Sequence, residues 1–205
     1  MTRDMTEAER NAYHAEKMRK RKEAQDKKLG TKTIEKGLLI VHTGTGKGKS
    51  TAAFGMALRA LAHGFRVGVV QFVKGPWTSG EREILKRLPE IEIHAMGEGF
   101  TWETQDRERD VRAARAAWAK AAALLADPGT RMVILDELNI ALRYEHLPVD
   151  EVLAALAARP PDKHVVVTGR NAPQALIDAA DLVTEMTLVK HPFRAGVKAQ
   201  PGVEF

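Results

Sequence analysis

Lys36-Gly37-Leu38-Leu39-Ile40-Val41-His42-Thr43-Gly44-Thr45-Gly46-Lys47-Gly48-Lys49-Ser50-Thr51-Ala52-Ala53-Phe54 is the stretch on which the fold turns. An apolar run, Leu38 to Val41, breaks into a segment dense in glycine and lysine, and a helix-forming run follows from Ser50 through Ala60. The order is strand, phosphate loop, helix. Glycines at 44, 46 and 48 let the backbone take positive φ and come close to an anion. Successive backbone N–H groups then point into one concavity, backed by the positive end of the helix that starts near Lys49. Lys49 supplies a mobile cation for phosphate oxygens, and the Ser50 hydroxyl is placed to ligate Mg2+. The strict pattern Gly-x-x-x-x-Gly-Lys-Ser/Thr is broken once: Thr43 stands where it asks for glycine, and Gly44 comes one position later. A turn without a ligand would leave Lys47 and Lys49 repelling each other for no return, so a phosphate site is expected.

Outward from this stretch, short β-rich runs alternate with helical ones. Strands are expected at Leu38–Thr43, Val67–Val73, Ile91–Ala95, Met132–Asp136, Val165–Thr168 and Leu182–Met186, and helices at Ser50–His63, Gly80–Leu88, Gln105–Ala126, Val149–Ala158 and Pro173–Ala179. Val-Gly-Val-Val-Gln-Phe-Val and Met-Val-Ile-Leu-Asp are nearly continuous apolar runs, as strands buried on both faces require. The alternation predicts an α/β fold, a mostly parallel sheet of about six strands flanked by helices. Ligands of such sheets bind outside the carboxyl ends of the strands. The segments just past the expected strands, Thr43–Ser50, Lys74–Gly80, Gly97–Gln105, Asp136–Asn139, Gly169–Asn171 and Thr187–Lys198, carry most of the unusual residues.

Met132-Val133-Ile134-Leu135-Asp136-Glu137 ends an apolar strand in two carboxylates. Beside a phosphate loop this is the expected partner, holding Mg2+ directly or through water. Asp136 reads as the outer metal partner. Glu137 either ligates the metal or, in an ordinary ATPase, orients the attacking water. No Asn-Lys-x-Asp guanine-reading motif occurs, which argues against a GTPase, and the seven histidines show no metal-binding spacing. His42, His63, His94, His146 and His164 read as structural, Trp118 as core, and Arg107, Arg109, Arg112 and Arg115 as a solvated helix face.

The chain of 205 residues suits one domain with an appendage. Its 44% hydrophobic content allows a sizeable core. No apolar run is long enough to cross a membrane and none near the start resembles a signal core, so a cytoplasmic protein is expected. Cysteine is absent, which removes disulfides, thiolate metal sites and cysteine catalysis together. The net charge of +5 is concentrated in residues 1–36, where Lys17, Arg19, Lys20, Arg21 and Lys22 cluster, and does not demand nucleic acid as a partner. Met1–Lys36 reads as a charged helical arm, with a capping box at Thr6 and Glu9 and a thin apolar stripe of Ala8, Ala12, Ala15 and Met18. It is either solvated or orders over the active site or a partner subunit. Residues 37–205 form the α/β domain.

Three further stretches narrow the reaction. They are Val69-Val70-Gln71-Phe72-Val73-Lys74-Gly75, Gly99-Phe100-Thr101-Trp102-Glu103-Thr104-Gln105, and the tail Val189-Lys190-His191-Pro192-Phe193-Arg194-Ala195-Gly196-Val197-Lys198-Ala199-Gln200. With the phosphate loop and the Leu135-Asp136-Glu137-Leu138 strand end, the chain resembles the P-loop type of ATP:corrinoid adenosyltransferase from about Lys36 to Phe205. The resemblance implies a RecA-like P-loop NTPase fold and a reaction. Reduced corrinoid, as Co(I) (cob(I)alamin or a precursor such as cobinamide or cobyrinic acid a,c-diamide), attacks the 5′ carbon of ATP and releases triphosphate, in adenosylcobalamin synthesis or salvage. It implies ATP held by Thr43, Gly44, Thr45, Gly46, Lys47, Gly48, Lys49, Ser50, Thr51 and Arg170, and Mg2+ (with Mn2+ as an alternative) at Ser50, Asp136 and Glu137. Lys49, Phe100 and Trp102 would be catalytic, the two aromatics pressing on the corrin to displace its lower axial ligand. His191 would join them in binding the corrinoid; Asn171, next to Arg170, is a weaker candidate for the nucleotide, and Lys190 and Lys198 are weaker site candidates. A homodimer and a flavoprotein electron donor are further implications. Two other readings compete: an ordinary P-loop ATPase or kinase, which would yield ADP, and a nucleic-acid module using the basic arm, which would bind in a salt-sensitive way.

Overall fold

A computed structural model describes residues 5–73, 80–96 and 106–204. The expected loop Lys74–Gly80 falls outside them except for Gly80, the expected aromatic loop Gly97–Gln105 entirely, and Phe100 and Trp102 with it. The chain divides into two compact units, Met1–Glu35 and Lys36–Phe205.

The first unit is a single helix, α1 (Glu7–Leu29). Its start is a reciprocal cap: the Glu9 amide donates to the Thr6 hydroxyl at 3.3 Å and the Thr6 amide to the Glu9 carboxylate at 2.8 Å. A cap of this kind contributes about 1 kcal/mol. No residue of α1 is buried. The alanine stripe is too thin to hold it to a core, and exposed pairs such as Lys20 with Glu16 at 2.7 Å add only about 0.3–0.5 kcal/mol each.

The second unit carries β1 (Leu39–Thr43), α2 (Lys49–Ala62), β2 (Val67–Gln71), α3 (Gly80–Leu85), β3 (Ile91–Ala95), α4 (Arg107–Ala126) and β4 (Met132–Asp136). Then come α5 (Leu138–Arg143), α6 (Val149–Ala158), β5 (His164–Thr168), α7 (Gln174–Ala179), β6 (Leu182–Glu185) and a 3-10 turn, Pro192–Ala195. The strands form one sheet in the order β3-β2-β4-β5-β1-β6. Every pairing is parallel, so the sheet expected to be mostly parallel is wholly so. This is an α/β fold built on a wholly parallel sheet, with the helical arm as a separate unit.

Side chains alternate across the strands, and each face has its own core. Ile40, Val67, Val69, Met132, Ile134 and Val166 pack with Ala53, Phe54, Ala57 and Ala60 of α2. Leu39, Val41, Val70, Val133, Leu135, Val165 and Val167 pack with Ala114, Ala117, Trp118 and Ala121 of α4. Each large aliphatic buried this way contributes about 1.5–3 kcal/mol. Gly68 is the place where α4 lies closest: a Cβ there would meet Leu124 Cδ1 at 2.8 Å.

Three local differences from expectation have physical reasons. Helix α5 was not anticipated, because it starts at Glu137 in the left-handed region (φ 60) without a side-chain cap. Strand β2 stops at Gln71, although the apolar run continues through Phe72 and Val73. Strand β6 is exposed along its whole length despite Leu182 and Val183, since it pairs with β1 and forms the sheet's edge. For the site, the decisive arrangement is that β5 separates β1 from β4. The loop after β1 and the acids ending β4 therefore meet across the end of β5.

Candidate active site

Strand β1 is buried throughout and delivers the chain to Gly44 at φ 95. Gly48, at φ 101, is the N-cap of α2 and has no side chain to cap it. The first-turn N–H groups of α2 thus have no side-chain acceptor and suit an anion. Gly44 and Gly46 are glycine for a second reason. A Cβ on either would meet Met186 O, at 2.5 and 2.7 Å respectively.

The loop is held from two directions. Thr43, where the strict motif asks for glycine, is the last residue of β1. Its hydroxyl accepts from the Ala172 amide at 3.0 Å, and its carbonyl from the Met186 amide at 2.9 Å. The departure from the motif is therefore a tie between the ends of β1, β5 and β6. The Gly46 amide donates to Met186 O at 2.6 Å.

Lys49 is buried, and its Nζ donates to Gly44 O at 3.0 Å and Gly46 O at 2.5 Å. Burial lowers its pKa; Glu137 opposes that shift, while Arg170 and Lys47 add to it. Lys47 is exposed and its ammonium pairs with the Glu204 carboxylate. Ser50 and Thr51 follow in the first turn of α2, Ser50 half-buried and Thr51 exposed, and Thr45 is exposed in the loop. His42, beneath the loop, places Nδ1 at 3.3 Å from Lys49 O.

Across the end of β5 lie the acids. Asp136 is buried. Its Oδ1 accepts from Thr168 Oγ1 at 2.7 Å and its Oδ2 from Gln71 Nε2 at 2.9 Å. Glu137 donates its amide to Thr168 Oγ1 at 2.9 Å. Its carboxyl is pushed up to about 7, first by burial and then by the negative Asp136, with Lys49 and Arg170 pulling the other way. Glu137, disfavoured as an anion, and the adjacent Asp136 lie beside the hydroxyl-bearing phosphate loop and form a donor set that suits a hard divalent cation. Gly169 (φ 127) lets the β5 loop press close, its position for a Cβ lying 3.2 Å from Glu137 Oε2, and Asn139 Nδ2 donates to Gly169 O at 2.9 Å. Arg170 is exposed. Among the described residues no cluster of three or more His, Asp or Glu side chains forms a cation cage by itself.

The structure thus brings Lys47, Lys49, Asp136, Glu137 and Arg170 to one edge of the sheet. His191 lies in the tail, where its Nδ1 accepts from the Phe193 amide at 3.1 Å. Residue spacing did not reveal Gln71, Thr168, Asn139, Met186 or Glu204. The available signal for the first two was a polar residue closing an apolar strand, after Val70 and after Val167.

The described geometry agrees with what the chain is similar to. The profile of the ATP:corrinoid adenosyltransferase family BtuR/CobO/CobP matches residues 35–205. A corrinoid adenosyltransferase of Pseudomonas aeruginosa is 57% identical over 198 residues, 96% of this chain and 98% of the relative. The chain belongs to the ATP:corrinoid adenosyltransferase family. The corrinoid adenosyltransferase CobA of Salmonella typhimurium is 48% identical over 192 residues, covering 94% of this chain and 97% of its own. Likeness to the solved RadB recombinase, at a TM-score of 0.45 and 16% identity over 78% of each chain, is too slight to bear on the assignment. This adenosyltransferase is therefore an enzyme of the transferase class that acts on a corrinoid. Its family profile begins at the end of the arm, whereas the Pseudomonas relative aligns with part of the arm as well.

The remaining candidates in this adenosyltransferase sort themselves by contact. Trp118 is core. His164 Nδ1 accepts from the Leu38 amide at 3.1 Å, His94 pairs with Glu92 at 2.5 Å, and the buried His146 stacks on Tyr144. Arg115 pairs with Glu151 at 2.6 Å and Arg112 with Glu108 at 3.5 Å.

Proposed function

We propose that the chain transfers the 5′-deoxyadenosyl group of ATP to the Co(I) of a reduced corrinoid and releases triphosphate. The observation that supports this most is the meeting, in a member of this family, of a lysine-bearing phosphate loop with two carboxylates across the end of β5. Cobalt supplies the electron pair for the new Co–C bond, the C5′–O bond breaks, and its electron pair leaves on the triphosphate. No general base is needed for that step. The protein's task is to hold the substrates in line and stabilise charge growing on the leaving group.

Lys49 would move from its carbonyl acceptors to the phosphate oxygens, and Lys47 would exchange Glu204 for them. The amides of Gly44 through Thr51 would complete the cradle, with Arg170 closing it from the β5 loop. Ser50, Asp136 and Glu137 would hold Mg2+ or Mn2+, which neutralises phosphate charge as a Lewis acid when bound. Thr43 supports the loop through its bonds to Ala172 and Met186. Phe100, Trp102 and His191 are assigned to the corrinoid on the strength of the family resemblance. A homodimer, a flavoprotein reductant and a cytoplasmic location belong to the same reading. No helix among the described residues is long and apolar enough to cross a membrane.

One observation favours phosphoryl transfer instead: Glu137, with a pKa near neutral beside the loop, is suited to orient water or a hydroxyl. An anaerobic assay with ATP, Mg2+ and chemically reduced cobalamin separates the two. Adenosylcobalamin with triphosphate is the expected outcome. Phosphate and ADP with cobalt untouched would establish the ATPase reading.

A further inference from the structure

Asp136 is held by two side chains that neither the sequence pattern nor the proposed reaction assigns. We propose that Thr168 and Gln71 are positioning residues, orienting the Asp136 carboxylate toward the metal of the nucleotide complex. This rests on the reading of Asp136 as a metal partner.

The three residues close three neighbouring strands. Gln71 ends β2 directly opposite Asp136 at the end of β4, and Thr168 ends β5 on the other side. Each carboxylate oxygen receives one donor, Thr168 Oγ1 at 2.7 Å on Oδ1 and Gln71 Nε2 at 2.9 Å on Oδ2. Both assignments are forced by chemistry. A carboxylate cannot donate, so Gln71 must present its NH2. The Thr168 oxygen already accepts the Glu137 amide at 2.9 Å, so its one proton goes to Asp136.

Two donors on opposite oxygens fix the carboxylate plane. Of its roughly four lone-pair sites, they leave one free on each oxygen for a cation or its water. Thr168 does more than hold Asp136. By also accepting the Glu137 amide, it sets the distance between two successive acidic residues and keeps Glu137 at its left-handed turn. Burial makes the arrangement stiff: Thr168 is 0% and Asp136 4% exposed, so neither can reorient into solvent. The same contacts could merely stitch strand ends together, and metal affinity distinguishes the two roles.

The test is Mn2+ binding to the ATP complex of the full chain, followed by electron paramagnetic resonance without corrinoid, on Thr168→Val, Thr168→Ser, Gln71→Met and, as reference, Asp136→Asn. Removing an outer partner of a metal ligand weakens affinity about 10–100-fold. Thr168→Val is expected within that range, Gln71→Met toward its lower end, and Thr168→Ser close to the wild type because the hydroxyl is kept. ATP binding without metal should be unchanged in Thr168→Val, Thr168→Ser and Gln71→Met. If Asp136→Asn binds Mn2+ like the wild type, the metal reading fails and the proposal with it. If Asp136→Asn weakens Mn2+ while Thr168→Val and Gln71→Met do not, the proposal alone is overturned. Should Thr168→Val fail to fold, Gln71→Met carries the decision.

Discussion

Among the described residues two lysines are buried, one at each edge of the sheet, and they look alike until their surroundings are compared. Lys49 follows the loop at the carboxyl edge, and Lys163 precedes β5 at the amino edge. Each ammonium rests on two backbone carbonyls. Lys49 takes Gly44 and Gly46, and Lys163 takes Leu124 at 2.7 Å and Asp127 at 2.5 Å. Burial lowers the pKa of both.

The difference lies in the acceptors. Leu124 and Asp127 end helix α4, where carbonyls lack helical partners and a cation is favoured, and the neighbouring Asp127 and Asp162 carboxylates favour the charge of Lys163 as well. Gly44 and Gly46 belong to the loop proposed to hold phosphate, and Lys49 also feels Glu137, Arg170 and Lys47 around it. The rest of the amino edge repeats the closed pattern. Arg159 donates to the carbonyls of Leu156, Lys163 and Gly37 at 2.5, 3.2 and 3.3 Å. A buried charge alone therefore does not mark a functional residue. Charges that face one another with replaceable partners do.

Substitutions should separate the two edges. Lys49→Ala should lower adenosyl transfer about 100- to 1000-fold, the cost of one lost transition-state contact, a loss per folded molecule that any fall in the melting temperature does not explain. Single-turnover kinetics beside a thermal melt would check this, and near-normal turnover would remove the phosphate-loop assignment. Lys163→Met should do the reverse. Leaving two carbonyls without their donor should cost about 2–3 kcal/mol. That is a fall of about 5–10 °C for a domain of this size, with activity per folded molecule preserved. An unchanged melt with lost activity would show that the amino edge is not purely structural.

Asp181 should give the smallest effect. The Lys36 side chain and then the Leu39 amide hold its carboxyl below the ordinary carboxylate range. The folded form thus prefers the anion. Its contribution is complete above the ordinary value of 3.8 and is lost as pH falls through the depressed folded value. Urea midpoints of the wild type and Asp181→Asn should differ at neutral pH by about 1 kcal/mol or less and converge in acid. A gap that persists there would mean the carboxyl is not coupled to folding.

Much of the carboxyl edge was readable before any contact was known. The glycine-lysine loop between an apolar run and a helix former and the acids after Leu135 were both legible because both motifs are contiguous, and the structure places them at one edge of the sheet. Thr43 was harder. As a missing glycine it showed only a break in the motif, while its hydroxyl accepts the Ala172 amide. Nothing local marks Lys163 as buried, since the carbonyls that hold it come from residues 124 and 127. The exposure of β6 was not legible, because Leu182 and Val183 carry no mark of lying at an edge.

What the amino-acid sequence determined alone is local: positive-φ glycines before a helix start, apolar runs suited to two-sided burial, and a capped, charged arm too polar to build a core. These follow from periodicity and backbone sterics within a few residues. The tertiary structure alone decided that β5 would lie between β1 and β4, and thereby that Thr168 would meet Asp136, Ala172 would meet Thr43 and Glu204 would meet Lys47. Those partners are 32, 129 and 157 residues apart in the chain. No short-range pattern encodes them, because strand order is settled by how two apolar faces are covered at once.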